Sequence, residues 1–282
     1  MRVSIRRFPA LVVLAAAALG VPVIGGIVPF VQSGYSRTQD RFMLNVLTVT
    51  YDHRSVGVKL EATERLPRAN GEARVEMKSG ITEIELELDE MKPAWSFGGD
   101  FNTFLLWAIS PEGHADNLGE FILKGNRSKL NASTPMDTFG LIVTAEPHFL
   151  VDTPSPFVVL TNLAPARALP RAPEWVDLEI VQSHPPYRFE RASLIGVPET
   201  SGEVRSSLRQ AQVAVQLAER AGASRLAAAA FEAARNSLLM AEGAAETRSA
   251  THDDVERMAR RAVRLASAAE RQALEGRGAD AR

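Results

Sequence analysis

The chain has 282 residues, 45% of them hydrophobic and 23% charged, with a formal net charge of -2. That size and composition suit one or two globular domains, and the near-neutral balance argues against a general nucleic-acid binder. Cysteine is absent, which excludes disulfides, thiolate metal sites and a lipidated N-terminal cysteine, so the fold must rest on its core alone.

Residues 1–33 read as a signal peptide or N-terminal anchor. Arg2, Arg6 and Arg7 precede an uncharged run from Phe8 to Val31, the order of a secretory signal. The run is long enough to span a bilayer, which takes about 20 residues. Pro22, Gly25, Gly26 and Pro29 make its second half a poor helix and favour cleavage over retention. Either way the remainder is exported, to the periplasm or the outer face of the inner membrane. Retention would add membrane association through residues 8–31.

A β domain is expected over residues 42–190. Nine strands are legible, beginning with 45–51 and 56–60. Ala73–Met77 then pairs with Thr82–Leu88 across Lys78-Ser79-Gly80. In the latter strand Ile84, Leu86 and Leu88 alternate with Glu83, Glu85 and Glu87, which puts the apolar set on one face and the carboxylates on the other. Phe104–Ile109 is an unbroken apolar run that reads as a strand buried on both sides. Strands at 117–123, 139–145, 157–160 and 176–181 follow, with turns about every ten residues. No helical pattern intervenes, so the expected fold class is an antiparallel, immunoglobulin-like β-sandwich. Residues 163–173, with Pro165, Pro170 and Pro173, form an extended connector, and His184–Tyr187 closes the region.

From Ser201 alanine, arginine and glutamate dominate, and an alanine-rich helical domain is expected over residues 200–276, with a disordered tail at 277–282. The periodicity predicts three helices, from about Glu203 to Ala221, Ser224 to Glu242, and Thr251 to Gly276, as an α-helical hairpin or three-helix bundle. Thr251 and Asp254 have the spacing of a capping box. Mostly small-residue seams run along the helices: Ala211, Ala214, Ala218 and Ala221 on the first; Ala230, Ala233, Ser237 and Ala241 on the second; Val255, Met258, Ala259, Ala262, Leu265, Ala266, Ala269 and Ala273 on the third. They suit close helix packing, self-association, or docking on a protein partner. Opposite the third seam lie Arg257, Arg260, Arg261 and Arg264. Such a stripe is usually a solvated helix face; its functional reading is contact with a partner or with anionic lipid.

No catalytic constellation is legible. The five histidines show no metal spacing, and His53 and His114 sit in predicted turns. Paired carboxylates among Glu83, Glu85, Glu87, Asp89 and Glu90 could serve glycoside hydrolysis or bind calcium, but their alternation fits a solvated strand face. Gly98-Gly99-Asp100 lacks the Gly-Lys-Ser or Gly-Lys-Thr of a phosphate loop, and there is no G-x-S-x-G. Asn126-Arg-Ser and Asn131-Ala-Ser match only a three-residue glycosylation pattern. No cofactor or metal is called for.

GGDFNTFLLWAISPEGHADNLGEF (98–121) and MDTFGLIVTAEPHFLVDTPSPFVVL (136–160) resemble a segment of bacterial envelope proteins, with a WxxxPxG turn, LGE, then TFGLIVTAEPH. LRQAQVAVQLAERAGASRLAAAAFEAARNSLLMAE (208–242) resembles the alanine-rich helical domain of unknown function found ahead of OmpA-like domains. The sequence ends at Arg282 without an OmpA-like domain, so peptidoglycan binding is not carried over, and neither resemblance supplies catalytic residues. Together these readings imply a non-catalytic envelope protein with a structural or interaction role. The rival is a carbohydrate-active or other hydrolytic envelope enzyme whose acids converge only in the fold.

Overall fold

Ten strands take up the first part of the chain: β1 Arg41–Thr50, β2 Val56–Ala62, β3 Asn70–Lys78, β4 Ile81–Asp89, β5 Thr103–Ile109, β6 Ala115–Phe121, β7 Ser128–Thr134, β8 Thr138–Glu146, β9 Val158–Asn162 and β10 Glu174–Val181. The computed structural model describes residues 41–98, 100–167, 169–181, 203–247 and 249–280. The targeting segment (1–33) and the closing stretch (184–187) lie outside these residues.

Every paired neighbour is antiparallel, in the order β10-β1-β8-β9-β2-β3-β4-β7, with β5 on the other edge of β8 and β6 beyond β5. The far end of that path, β7, comes back to β6. Lys124 and Arg127 form a bridge between β6 and β7, and Ser128 Oγ donates to the Ile122 carbonyl at 2.7 Å. The result is a nearly closed, barrel-like sheet. The antiparallel β class and the C-terminal helices agree with the sequence reading, but this order is not clearly that of an immunoglobulin-like sandwich. Turn spacing determines which strands are hairpin neighbours; it does not determine whether a sheet splits in two or curls round on itself.

The β3–β4 hairpin turns on Ser79 (φ 52°) and Gly80 (φ 81°), a two-residue loop whose positive φ angles match the strand twist. Ile84, Leu86 and Leu88 are buried in the barrel, while Glu83 and Glu87 are exposed, as the alternation requires. β5 is buried on both faces. Phe104, Leu106 and Ala108 belong to the barrel core; Leu105, Trp107 and Ile109 belong to a second cluster with Val46, Leu178 and Ile180. The β1–β10 pair therefore covers the outside of β5 and β8.

That cover depends on a fork. β1 pairs with β8 only at Val49–Phe139 and Thr50–Thr138, after which β9 takes over the same edge from Ile142. The side chain of Asn162 fills the gap: Oδ1 accepts from Leu141 N at 2.8 Å, and Nδ2 donates to Leu47 O at 3.0 Å. Gly140 lets the strands approach, because a Cβ there would lie 2.4 Å from Val46 Cγ1 and 2.7 Å from Leu47 O.

β7 has no counterpart among the nine expected strands. Its sequence, SKLNAST, is largely polar, and it forms because the edge of β4 takes it as a partner from Thr82–Thr134 to Leu88–Ser128.

Three long helices follow: α1 Glu203–Arg220, α3 Ala228–Glu246 and α4 His252–Asp280, with the short α2 Ala223–Leu226 between the first two. Gly222 (φ 81°) ends α1, and its N–H donates to Glu219 O at 2.8 Å. The capping box is present: Asp254 N donates to Thr251 Oγ1, and Thr251 N donates back to Asp254 Oδ2, each at 3.2 Å. Three expectations change. The second helix is broken at Ala227 and runs through Gly243; α4 passes Gly276 and covers most of the expected tail; and the second seam is Phe231, Ala234, Ser237 and Ala241, with Ala233 exposed. The other two seams are as read, and all three meet in one core. No helix among the described residues is long and apolar enough to cross a membrane.

Candidate functional site: the seam between sheet and helices

The densest convergence of polar side chains lies where α1 and α4 meet β5, β6 and the connection from β8 to β9. Its centre is Glu120 on β6. Glu120 Oε1 accepts from Thr103 Oγ1 on β5 at 2.7 Å and from Gln210 Nε2 on α1 at 2.6 Å, and Oε2 accepts from Arg260 Nη2 on α4. Four elements thus meet at one carboxylate.

Arg260 also donates through Nε to Glu256 Oε1 at 2.9 Å, and its guanidinium lies 4.6 Å from the centre of the Phe149 ring. Burial works against its charge, but Glu120 and Glu256 more than compensate, so the guanidinium is held more firmly protonated than a free arginine. The Gln210 amide joins two strands' worth of structure, donating to Glu120 and accepting from Phe149 N at 3.0 Å. Farther along α1, Ser206 Oγ donates to Asn102 O at 2.9 Å and Arg220 pairs with Asp100 at 3.1 Å. The partly open pocket at this seam offers about 30 Å³, room for one or two water molecules. An open cleft of about 620 Å³ adjoins it, between β6 and residues 149–152. Asn117 shapes the far wall by donating to Phe149 O at 3.1 Å and Val151 O at 3.2 Å.

The four arginines expected to act together are divided by the fold. Arg260 turns to the sheet as described. Arg257 pairs with Asp254 one turn earlier, and Arg261 and Arg264 are exposed. The acids of β4 are met by bases on the outer sheet face: Lys129 of β7 reaches Glu85 and Glu87, and Lys78 reaches Glu83 at 2.6 Å. His53 and His114 are exposed, with His114 Nε2 2.9 Å from Asp116 Oδ1. His148 is buried in the connection after β8, where its Nδ1 accepts from Leu150 N at 3.2 Å. Among the described residues, no group of three or more histidines and carboxylates is placed to hold a metal ion.

Sequence reasoning passed over Glu120, Gln210, Glu256 and Glu146. The signal for Glu146 was present, since it is the one charged residue in the apolar run from Thr138 to Pro147. Glu146 is fully buried, and burial pushes its carboxyl up to about 8 against the opposing pull of hydrogen bonds from Ser155 and Thr144. Comparison with protein-family models, with curated proteins and with solved structures finds no match to this chain.

Proposed function

We propose that this chain is a non-catalytic, exported cell-envelope protein with a structural or protein-interaction role, in which the barrel-like sheet is a base that holds the helices as a presented surface. The observation that carries this reading is the Glu120–Arg260 junction. Its polar groups pair with one another across four elements, so the most convergent side chains in the described residues form a joint. The N-terminal arginines and apolar run support export, with residues 8–31 as the membrane contact if the segment is retained.

Contact with a partner protein or a second copy goes through the helical tail. Its alanine seams are used within the chain, which leaves the outer face of α3, where Leu239 and Met240 are exposed. Nucleic acid is not an expected partner.

Mass spectrometry of the native protein in soluble and membrane fractions tests the export reading. A cleaved N-terminus near Val21 or Gly34 in the soluble envelope fraction, or an intact Met1 in the membrane fraction, supports it; an intact chain in the cytosol overturns it. Incubation of purified protein with isolated cell-wall material tests the non-catalytic part, and release of soluble sugar fragments would favour the hydrolase instead.

A further inference from the structure

The connection from β8 to β9, residues 147–157, has two sides. One side is the seat of the helices: Phe149 and Leu150 pack into the helical core, Phe149 N donates to Gln210, and the Phe149 ring lies under Arg260. The other side is tied to the buried carboxyl of Glu146, whose Oε1 accepts from Ser155 N at 2.6 Å and from Thr144 Oγ1. Trp107 Nε1 donates to Thr144 Oγ1 at 2.8 Å, so indole, hydroxyl and carboxyl stand in series inside the protein. Glu146 Oε2 is buried without a hydrogen-bond partner among the described residues.

Among the described residues no cation is paired with this carboxyl. Its cross-strand neighbour on β5 is Thr103, whose hydroxyl goes to Glu120 of β6, and that charge is matched by Arg260 of α4. α1 brings the neutral Gln210. Arg65 gives its guanidinium to Pro156 O and the Phe157 ring. On the connection itself are the buried His148 and Asp152, which lies 3.8 Å from Arg271 of α4. A carboxylate formed here would have one buried oxygen without a donor among the described residues, and the covering segment is the one that seats the helices.

We infer that Glu146 is a proton-controlled latch: protonated, it holds the β8–β9 connection closed, and loss of the proton opens that connection and loosens the seat of α1 and α4. The direction follows from linkage. A carboxyl raised to about 8 in the closed form and near its ordinary value in the open form binds more protons closed than open. The closed form is therefore fully favoured below the ordinary carboxylate range and loses ground as pH rises, until Glu146 is ionised in both forms.

Hydrogen exchange of the α1 and α4 amides in the full chain tests this, measured from about pH 5 to 9 and corrected for intrinsic exchange chemistry. The Trp107 indole N–H resonance is followed over the same range. In the wild type, helix opening should rise by up to about tenfold per pH unit and level off above about 8, while the indole titrates near 8. In Glu146→Gln both should be flat. A slope that survives in Glu146→Gln assigns the dependence to His148 or another group and overturns the latch. So does a wild-type indole that titrates while helix exchange keeps no pH dependence, a result that stands even if the variant does not fold.

Discussion

Glu120 draws on three donors from three elements, and Arg260 on two carboxylates and a ring. Replacing Arg260 by alanine leaves Glu120 nearly buried and one donor short. The Arg260 side chain is about a quarter exposed, so the full cost of breaking a buried pair does not apply, and the expected loss is about 2 kcal/mol in urea unfolding. Glu120→Gln should cost less, because its oxygen can still accept from Thr103. A second residue-scale outcome concerns the β1–β2 turn. Hydrogen bonds from the Arg54 side chain and backbone hold Asp52 down at about 2. A depressed carboxyl contributes above the ordinary carboxylate range, and the contribution is lost as pH falls through about 2. An NMR titration of the Asp52 carboxyl should show that midpoint, and Arg54→Ala should move it upward.

At the scale of elements, the fork between β1 and β8 is the most demanding joint in the sheet. Gly140→Ala would drive a methyl into Val46 and the Leu47 carbonyl, and backbone cannot yield as a side-chain tip does. The expected cost is about 3 kcal/mol by chemical denaturation. Gly57→Ala, on the exposed side of β2 with nothing within 4 Å, is the matched control. It should be neutral or stabilising by about 0.5 kcal/mol, through a less flexible unfolded chain. Similar residues thus have opposite consequences according to what crosses them. The helices follow the same logic: the buried alanines of α4 allow α1 and α3 to approach it closely, and a longer side chain at Ala262 or Ala266 would push them apart.

At the scale of the whole molecule, sheet and helices share the seam at Glu120, the Ser206–Asn102 bond and the Arg220–Asp100 pair. Regions coupled this way should unfold together. All three tryptophans lie in the β region, at positions 95, 107 and 175, so fluorescence reports the sheet while far-UV ellipticity is dominated by the helices. The two curves should coincide in the wild type and separate in a Gln210→Ala, Arg260→Ala double variant, with the helices melting first. Separate curves in the wild type would show that the seam does not couple the two regions.

What the sequence alone determined is what short-range periodicity controls. The alternation at 83–88 set which face of β4 is buried, Ser79-Gly80 set a hairpin, Thr251 and Asp254 set the start of α4, and the alanine spacing of α1 and α4 set their packing faces. Each depends on residues within a turn or two of each other along the chain. The tertiary structure decided the rest. SKLNAST became a strand because a neighbouring edge accepted it, and the helix break at Ala227 has no breaker residue to announce it. Arg260 left its stripe because Glu120, 140 residues away, lies within reach. The Glu146 carboxyl is pushed upward because strands from other parts of the chain remove it from water. Periodicity states which side of an element is apolar; only the arrangement of elements settles which polar groups meet on the remaining sides and how much water reaches them.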